Sequence, residues 1–351
     1  MEFPFVIFRF VKPMSPKKPM KNILYCLLFF FAGPIIAQSI SGTVIDQKTL
    51  EPLEGASVYF EGTTRGGITD AKGQFTLNIG QQISSPLVVT YLGYTDAVLT
   101  ASWNNPMDIT LMVAPESLGE VLITGVKPFT RKELMKAFKE QFLGTSRTGK
   151  SCKIINEDVI DLWYDVPTNQ LMASCDESIV INNDFLGYEV RFRIVDFAIK
   201  YHELSIKAYD RKQTTYAGTS FFIDKQPEVK SFTKRRKKVY KTSALRLMRT
   251  IALEDWANDD FSYYFRGYRT NPTELFTISD SQAGKKVKLE QRIVIVDAGK
   301  KQSELIPVDP FFTIDGYGNF HPPASLFFSG QMGDQRIGDL LPLDYNLSNG
   351  N

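Results

Sequence analysis

The sequence predicts a mainly β chain whose second part is α+β, and three observations carry that expectation. Ala56, Val58 and Phe60 alternate with Ser57, Tyr59 and Glu61, and Phe75, Leu77 and Ile79 alternate with Thr76 and Asn78. Period-two alternation is the pattern of a strand with one buried face. Asp70-Ala71-Lys72-Gly73 lies between these stretches. Asp bonds its own backbone at the start of a turn and Gly takes the positive φ that ends it, so residues 67–79 read as a hairpin. Beyond residue 150, further alternating stretches are interrupted by helical stripes.

In the front part, several short strands at this spacing read as an antiparallel sandwich. The ordered pieces Ser41-Gly42-Thr43-Val44-Ile45-Asp46, Pro52 to Glu61, Thr69 to Leu77 and Val89-Thr90-Tyr91-Leu92-Gly93-Tyr94 resemble the carboxypeptidase-regulatory-like domain. That resemblance implies a seven-stranded transthyretin-like (prealbumin-like) β-sandwich over residues 38–114. In the family this module accompanies carboxypeptidases and precedes TonB-dependent outer-membrane receptors. It brings no zinc ligand and no peptidase site.

Ahead of it, Lys17, Lys18 and Lys21 precede the apolar run Ile23 to Ala32, and Ile35-Ile36-Ala37 ends before Gln38. This is the pattern of a signal peptide over residues 1–37, with Met20 a natural start. The run is too short to read as a membrane span, and none is expected in the remaining chain. Tyr25 before Cys26 argues against a lipoprotein signal. The net charge is +2, and residues 38–120 hold three Lys/Arg against nine Asp/Glu. An acidic front with a mildly basic body is no nucleic-acid signature. After the leader only Cys152 and Cys175 remain; in an oxidising envelope they read either as a disulfide or as two buried thiols.

Residues 115–129 read as a linker with one apolar strand, Val121-Leu122-Ile123. The stretch Leu118 to Gly125 resembles the segment that follows this module in TonB-dependent receptors, but the chain is far too short for their barrel. Residues 130–346 read as a second, β-rich α+β domain. Thr130 and Glu133 form a capping box ahead of Leu134, Ala137, Phe138 and Phe142, and Gly144 stops the helix. Tyr188, Val190, Phe192 and Ile194 alternate as a strand, Leu204, Ile206 and Ala208 as another, and Val287 to Ile295 as a third. Ala244, Leu247, Met248, Ile251 and Ala252 form one apolar stripe in a helix over 239–256. Leu186-Gly187-Tyr188 and the ending Leu340 to Tyr345, among other pieces, resemble exported proteins of Gram-negative bacteria that carry the same front module. That resemblance implies envelope placement and transfers no activity.

Candidate chemistry is thin. Gly144 to Ser151 matches the P-loop pattern, but a helix precedes it and a strand follows, the reverse of a phosphate cradle; no ATP or other cofactor is assigned. His202, read at the start of a strand, and His321 are the only histidines, and no zinc spacing surrounds them. No G-x-S-x-G elbow exists. Glu254, Asp255, Asp259 and Asp260 flank Trp256, the residue types of a carboxylate site beside a sugar-stacking ring. Lys234-Arg235-Arg236-Lys237-Lys238 is the strongest charge run, read as a solvated helix entrance or as a surface for an acidic partner. Trp256, Glu254, Asp255, Lys234, Arg235 and Arg236 are therefore the candidate ligand or partner surface, with no catalytic, cofactor or metal residue assigned. The expectation is a non-catalytic binding or assembly protein of the periplasm or outer membrane, meeting an envelope protein or glycan. The alternative is a glycan- or peptide-acting hydrolase using carboxylates of the second domain.

Overall fold

A computed structural model describes residues 38–80, 85–100, 105–115, 127–258 and 260–347. The leader expected over 1–37, Met20 and the connector strand Val121 to Ile123 lie outside the described residues. No helix among the described residues is long and apolar enough to cross a membrane.

The front module has seven strands: β1 (Gln38–Asp46), β2 (Ser57–Phe60), β3 (Gly66–Ile68), β4 (Gln74–Gly80), β5 (Leu87–Thr90), β6 (Ala97–Leu99) and β7 (Met107–Leu111). They form two sheets, β4-β1-β7 and β3-β2-β5-β6. The strand β1 runs antiparallel to β4 and parallel to β7. Alternate side chains from both sheets fill one core, including Val44, Val58, Phe60, Phe75, Leu87 and Leu111, as in a sandwich closed on its inner faces. The hairpin expected over 67–79 is not one: β3 pairs with β2 and β4 with β1, so the turn carries the chain from one sheet to the other. The turn chemistry itself is as read. Asp70 Oδ1 accepts from the Lys72 and Gln74 amides at 2.9 and 2.8 Å, and Gly73 sits at φ +70°. A side chain at Gly73 would press on Val44 O at 2.5 Å.

The second part begins with α1 (Arg131–Phe142), whose Thr130–Glu133 capping box is fully formed. The strands β8 (Cys152–Ile154), β9 (Ile160–Asp165), β10 (Gln170–Cys175), β11 (Ile179–Asn183), β12 (Tyr188–Tyr201) and β13 (Arg211–Asp224) follow. Along the sheet the order is β8-β11-β12-β10-β9, and β13 also pairs with β12. Tyr188, Val190, Phe192 and Ile194 all point into the core. A bulge between Ile194 and Asp196 leaves Val195 exposed and shifts the phase by one. Phe197, Ile199 and Tyr201 then keep the same face buried, as the extra residue of a bulge requires. Phe138 and Phe142 of α1 close over this face, with ring centroids 4.8 Å from Phe197 and 5.1 Å from Phe192.

A further core lies in the last third. The helices α2 (Lys230–Tyr240) and α3 (Ala244–Leu253) precede β14 (Phe261–Phe265), β15 (Tyr268–Arg269), α4 (Pro272–Leu275), β16 (Thr277–Ser281) and β17 (Gly284–Lys288). Then come β18 (Ile293–Asp297), β19 (Gln302–Pro307), β20 (Phe311–Ile314), β21 (Phe320–His321), β22 (Leu326–Ser329) and α5 (Gly330–Gly333). Two sheets, β15-β14-β18-β19-β22 and β16-β17-β20-β21, share a core with the α3 stripe. The stretch expected as one domain thus holds two separate cores.

Three local expectations are corrected. The helix over 239–256 is two helices, because Ser243 caps a new one: its Oγ accepts from the Arg246 amide at 3.1 Å. Leu204, Ile206 and Ala208 lie in a loop and the short turn that ends it, so His202 follows a strand instead of starting one. The alternation from Val287 to Ile295 is split between β17 and β18, which belong to different sheets.

The front module is bonded into the second part, first through the turn after β2. The Gly62 amide donates to Ser220 O at 2.7 Å and the Phe222 amide donates to Thr63 O at 3.0 Å. The turn after β2 therefore satisfies the edge of β13 that β12 leaves free. Tyr59 stacks on Phe221 with centroids 5.1 Å apart and its hydroxyl lies 3.1 Å from Thr219 Oγ1. Arg193 on β12 pairs with Asp96 at 2.9 Å. The C-terminal segment adds a second tie: the Leu343 amide donates to Gly62 O at 2.7 Å, and Asp344 accepts from the Thr64 amide at 3.0 Å.

Candidate functional site

The residues singled out from sequence are not all surface groups. The basic run lies within α2, not at its entrance, and Lys237 and Lys238 occupy the last turn, where positive charge suits the helix dipole. Arg236 is buried, which corrects its reading as a surface group. Its guanidinium forks onto Asp224 at 2.6 and 2.8 Å, donates to Leu186 O at 2.7 Å and lies 3.9 Å from the Tyr188 ring centre. Lys234 is exposed and Arg235 half-buried.

Trp256 is likewise a packing residue. It stacks on Phe276 and meets Tyr263 edge-on, with centroids 5.9 and 5.8 Å away, at the margin of the third core. Glu254 is exposed at the left-handed C-cap of α3. Asp255 accepts from Asn258 at 2.8 Å and lies 3.8 Å from Arg246; Asp260 pairs with Lys241 at 3.1 Å. Asp259 lies outside the described residues. Among the described residues no group of three His, Cys, Asp or Glu side chains converges as metal ligands would.

The two cysteines are free and buried. Cys152 is on β8 and Cys175 on β10, with β11 and β12 between them. Three strand spacings of about 4.8 Å put them roughly 14 Å apart, about twice the reach of a disulfide. The disulfide is therefore not formed. Burial pushes the Cys152 thiol up to about 12 and raises Cys175 as well.

The P-loop match is a tight helix-to-strand connection. Its amides bond inward: Gly149 to Ser146 Oγ at 2.9 Å, Lys150 to Ser146 O at 2.9 Å and Ser151 to Thr148 O at 3.0 Å. Gly338 packs against the loop, its amide donating to Leu143 O at 3.1 Å, and a side chain there would meet Gly149 Cα at 2.6 Å. The loop's concave side is thus filled by the chain itself.

Sequence reasoning does not reveal a cavity of about 820 Å³ beside that loop. It is walled by the 144–148 loop, Phe185, Arg211, the last turns of α2, the β18–β19 turn and the segment after α5. Phe185 carries two guanidiniums over its ring, Arg147 at 5.1 Å and Arg235 at 4.9 Å. The lining runs from Glu140 to Asp339 in sequence, so no local motif could point to it. A second concavity, about 1210 Å³, flanks the exposed face of α1. Two of its cations are already committed: Arg131 to Ile160 O and Glu157 O, and Lys139 to Glu157 at 2.5 Å.

The relatives found by comparison with known proteins align with less than a third of the chain. A TonB-dependent receptor, P26, of Formosa agariphila is 38% identical over 96 residues, 27% of this chain and 9% of the receptor. The TonB-dependent receptor SusC of Bacteroides thetaiotaomicron is 33% identical over 109 residues, 30% of this chain and 10% of that one. The chain thus spans about a tenth of the length of these relatives. A cohesin–X-dockerin complex from Acetivibrio cellulolyticus aligns at 17% identity and a TM-score of 0.20, over 29% of this chain and 72% of that chain. The family model of the CarboxypepD_reg-like domain matches residues 40–123. The seven-stranded front module is a CarboxypepD_reg-like domain.

Proposed function

We propose that the chain is an exported, non-catalytic binding or assembly protein of the envelope, working in the periplasm or at the outer membrane. The reading is carried by how the front module is held. The β2–β3 turn is bonded to β13, and the register of β2 with β5, Phe60 to Leu87 and Ser57 to Thr90, puts residues 91–95 at the other end of β5, next to Asp96, which Arg193 of β12 holds. There a bridge joins Tyr94 to Val113, and Leu92, Met112 and Val113 are left exposed at 70, 56 and 61%. Exposed apolar side chains grouped at one end of a module suit contact with another protein. The front-module relatives are named TonB-dependent receptors, which supports an envelope location.

The test is cross-linking in intact cells with the tagged full chain, followed by identification of the captured protein. A defined envelope partner is expected, with recovery falling in the Leu92→Ser/Val113→Ser variant. Equal recovery by that variant, or none above background with the parent chain, contradicts the proposal.

A further inference from the structure

The cavity beside Phe185 has an unbalanced lining. Arg147, Arg211, Arg235, Lys238, Lys301 and Arg336 line it, and none of them forms an ion pair among the described residues. Four carboxylates share the wall: Glu140, Asp297, Asp334 and Asp339. The cations outnumber them six to four, and two of the carboxylates are hydrogen-bonded within the wall. Asp297 Oδ1 accepts from the Lys301 amide at 2.9 Å, and Asp339 Oδ1 accepts from Ser146 at 2.7 Å. Burial raises the Asp339 carboxyl above its usual range.

Among the cations, Arg211 donates to Gln141 Oε1, and Arg336 donates to Gly333 O at 2.8 Å and Gln335 O at 2.9 Å. Arg235 gives one N–H to Phe185 O at 3.2 Å. Guanidiniums laid over an aromatic ring are held in place while their edges remain available, the geometry that suits planar or tetrahedral oxyanions. The frame around them is fixed: Gly144, at φ +95°, brings the loop against Arg336, and Asn183 donates to Gly338 O at 2.9 Å. The volume lies in the range of small-molecule sites.

We infer that this cavity binds a small organic anion through a phosphate or carboxylate group held by Arg147, Arg235 and Lys238. Charge governs recognition here, because the Phe185 ring already carries two guanidiniums and is not a free stacking platform. The site lies in the second part of the chain and does not depend on the partner surface of the front module.

Isothermal titration of the full chain without its leader, with glucose 6-phosphate, glucuronate, inorganic phosphate and glucose, tests this. At least one anion is expected to bind, with affinity falling as salt is raised, and glucose is not. Comparison of the two sugar acids with inorganic phosphate tells phosphate from carboxylate recognition. Arg147→Gln/Lys238→Gln removes two charges that no carboxylate of the fold pairs with. It should weaken binding by at least about tenfold with a nearly unchanged melting temperature. Lys72→Gln, on the front module, should leave binding unchanged. No anion binding at millimolar concentration, equal binding of glucose, or equal affinity in the double variant overturns the inference. Partner capture by the parent chain together with absent anion binding would leave the proposed function standing while the inference falls.

Discussion

Glu61 Oε1 accepts both the amide and the hydroxyl of Ser220, at 3.0 and 3.2 Å, across the join between the front module and β13. An edge-strand amide thus finds its acceptor in a side chain from another sheet. Burial pushes the Glu61 carboxyl up to about 7, against the pull of the Ser220 bonds. An unfolded Glu titrates at about 4.3. Between these values the folded chain retains a proton that the unfolded chain has released, so this group's contribution to stability falls as pH rises through the window. Glu61→Gln keeps the acceptor and removes the titration. Urea midpoints at pH 5 and pH 7.5 should differ less in Glu61→Gln than in the parent. Glu61→Ala strands the Ser220 amide and should cost about 1–3 kcal/mol at pH 5.

Arg236 behaves as a core residue in an otherwise solvated run. Replacing it with Met leaves Asp224 without its fork and should destabilise the chain by about 3–5 kcal/mol in urea unfolding. Arg236→Lys restores charge but not the two-pronged geometry, and should recover only part of that loss. Lys234, on the same helix, is exposed, so Lys234→Met should change stability by less than about 0.5 kcal/mol.

Arg249 ties the last segment to α3. Its guanidinium donates to Tyr317 O at 2.9 Å, Leu343 O at 2.5 Å and Tyr345 O at 2.6 Å, and Leu343 in turn bonds Gly62. Arg249→Leu removes these donors together and should free the C-terminal segment. Limited proteolysis is expected to clip the variant near Leu340 well before the parent chain, and equal clipping rates would contradict the assignment.

Both thiols of the chain without its leader should be silent in the native state. With the Cys152 thiol pushed up to about 12 by burial, little thiolate exists at pH 8. A thiol-reactive chromophore should report no reaction before unfolding and reaction of both cysteines after it, without reductant. No release after unfolding would show the disulfide instead.

Much of the fold is legible in the sequence because it is local. The capping box at Thr130, the Asp70–Gly73 turn, the α3 stripe and the Tyr188–Ile194 alternation each depend on neighbours within a few positions. What stays hidden depends on packing between distant segments. Tyr59 looks like the solvent face of β2, yet it is 4% exposed because Phe221 covers it. The hairpin reading fails because a turn sequence fixes a reversal and not the sheet to which the next strand belongs. Arg236 reads by charge alone as a surface group, while its carboxylate partner, Asp224, sits at the end of a different element. The cation-lined cavity draws on segments that only the tertiary fold brings together.

The central structural claim is that the turn after β2 completes the edge of β13 and makes the two parts one body. Amide hydrogen exchange read residue by residue tests it directly. The Gly62 and Phe222 amides should exchange as slowly as the paired amides of β12, and Glu61→Ala should speed both while leaving β12 unchanged. Exchange of Gly62 and Phe222 in the parent at the rate of an open turn would contradict the account.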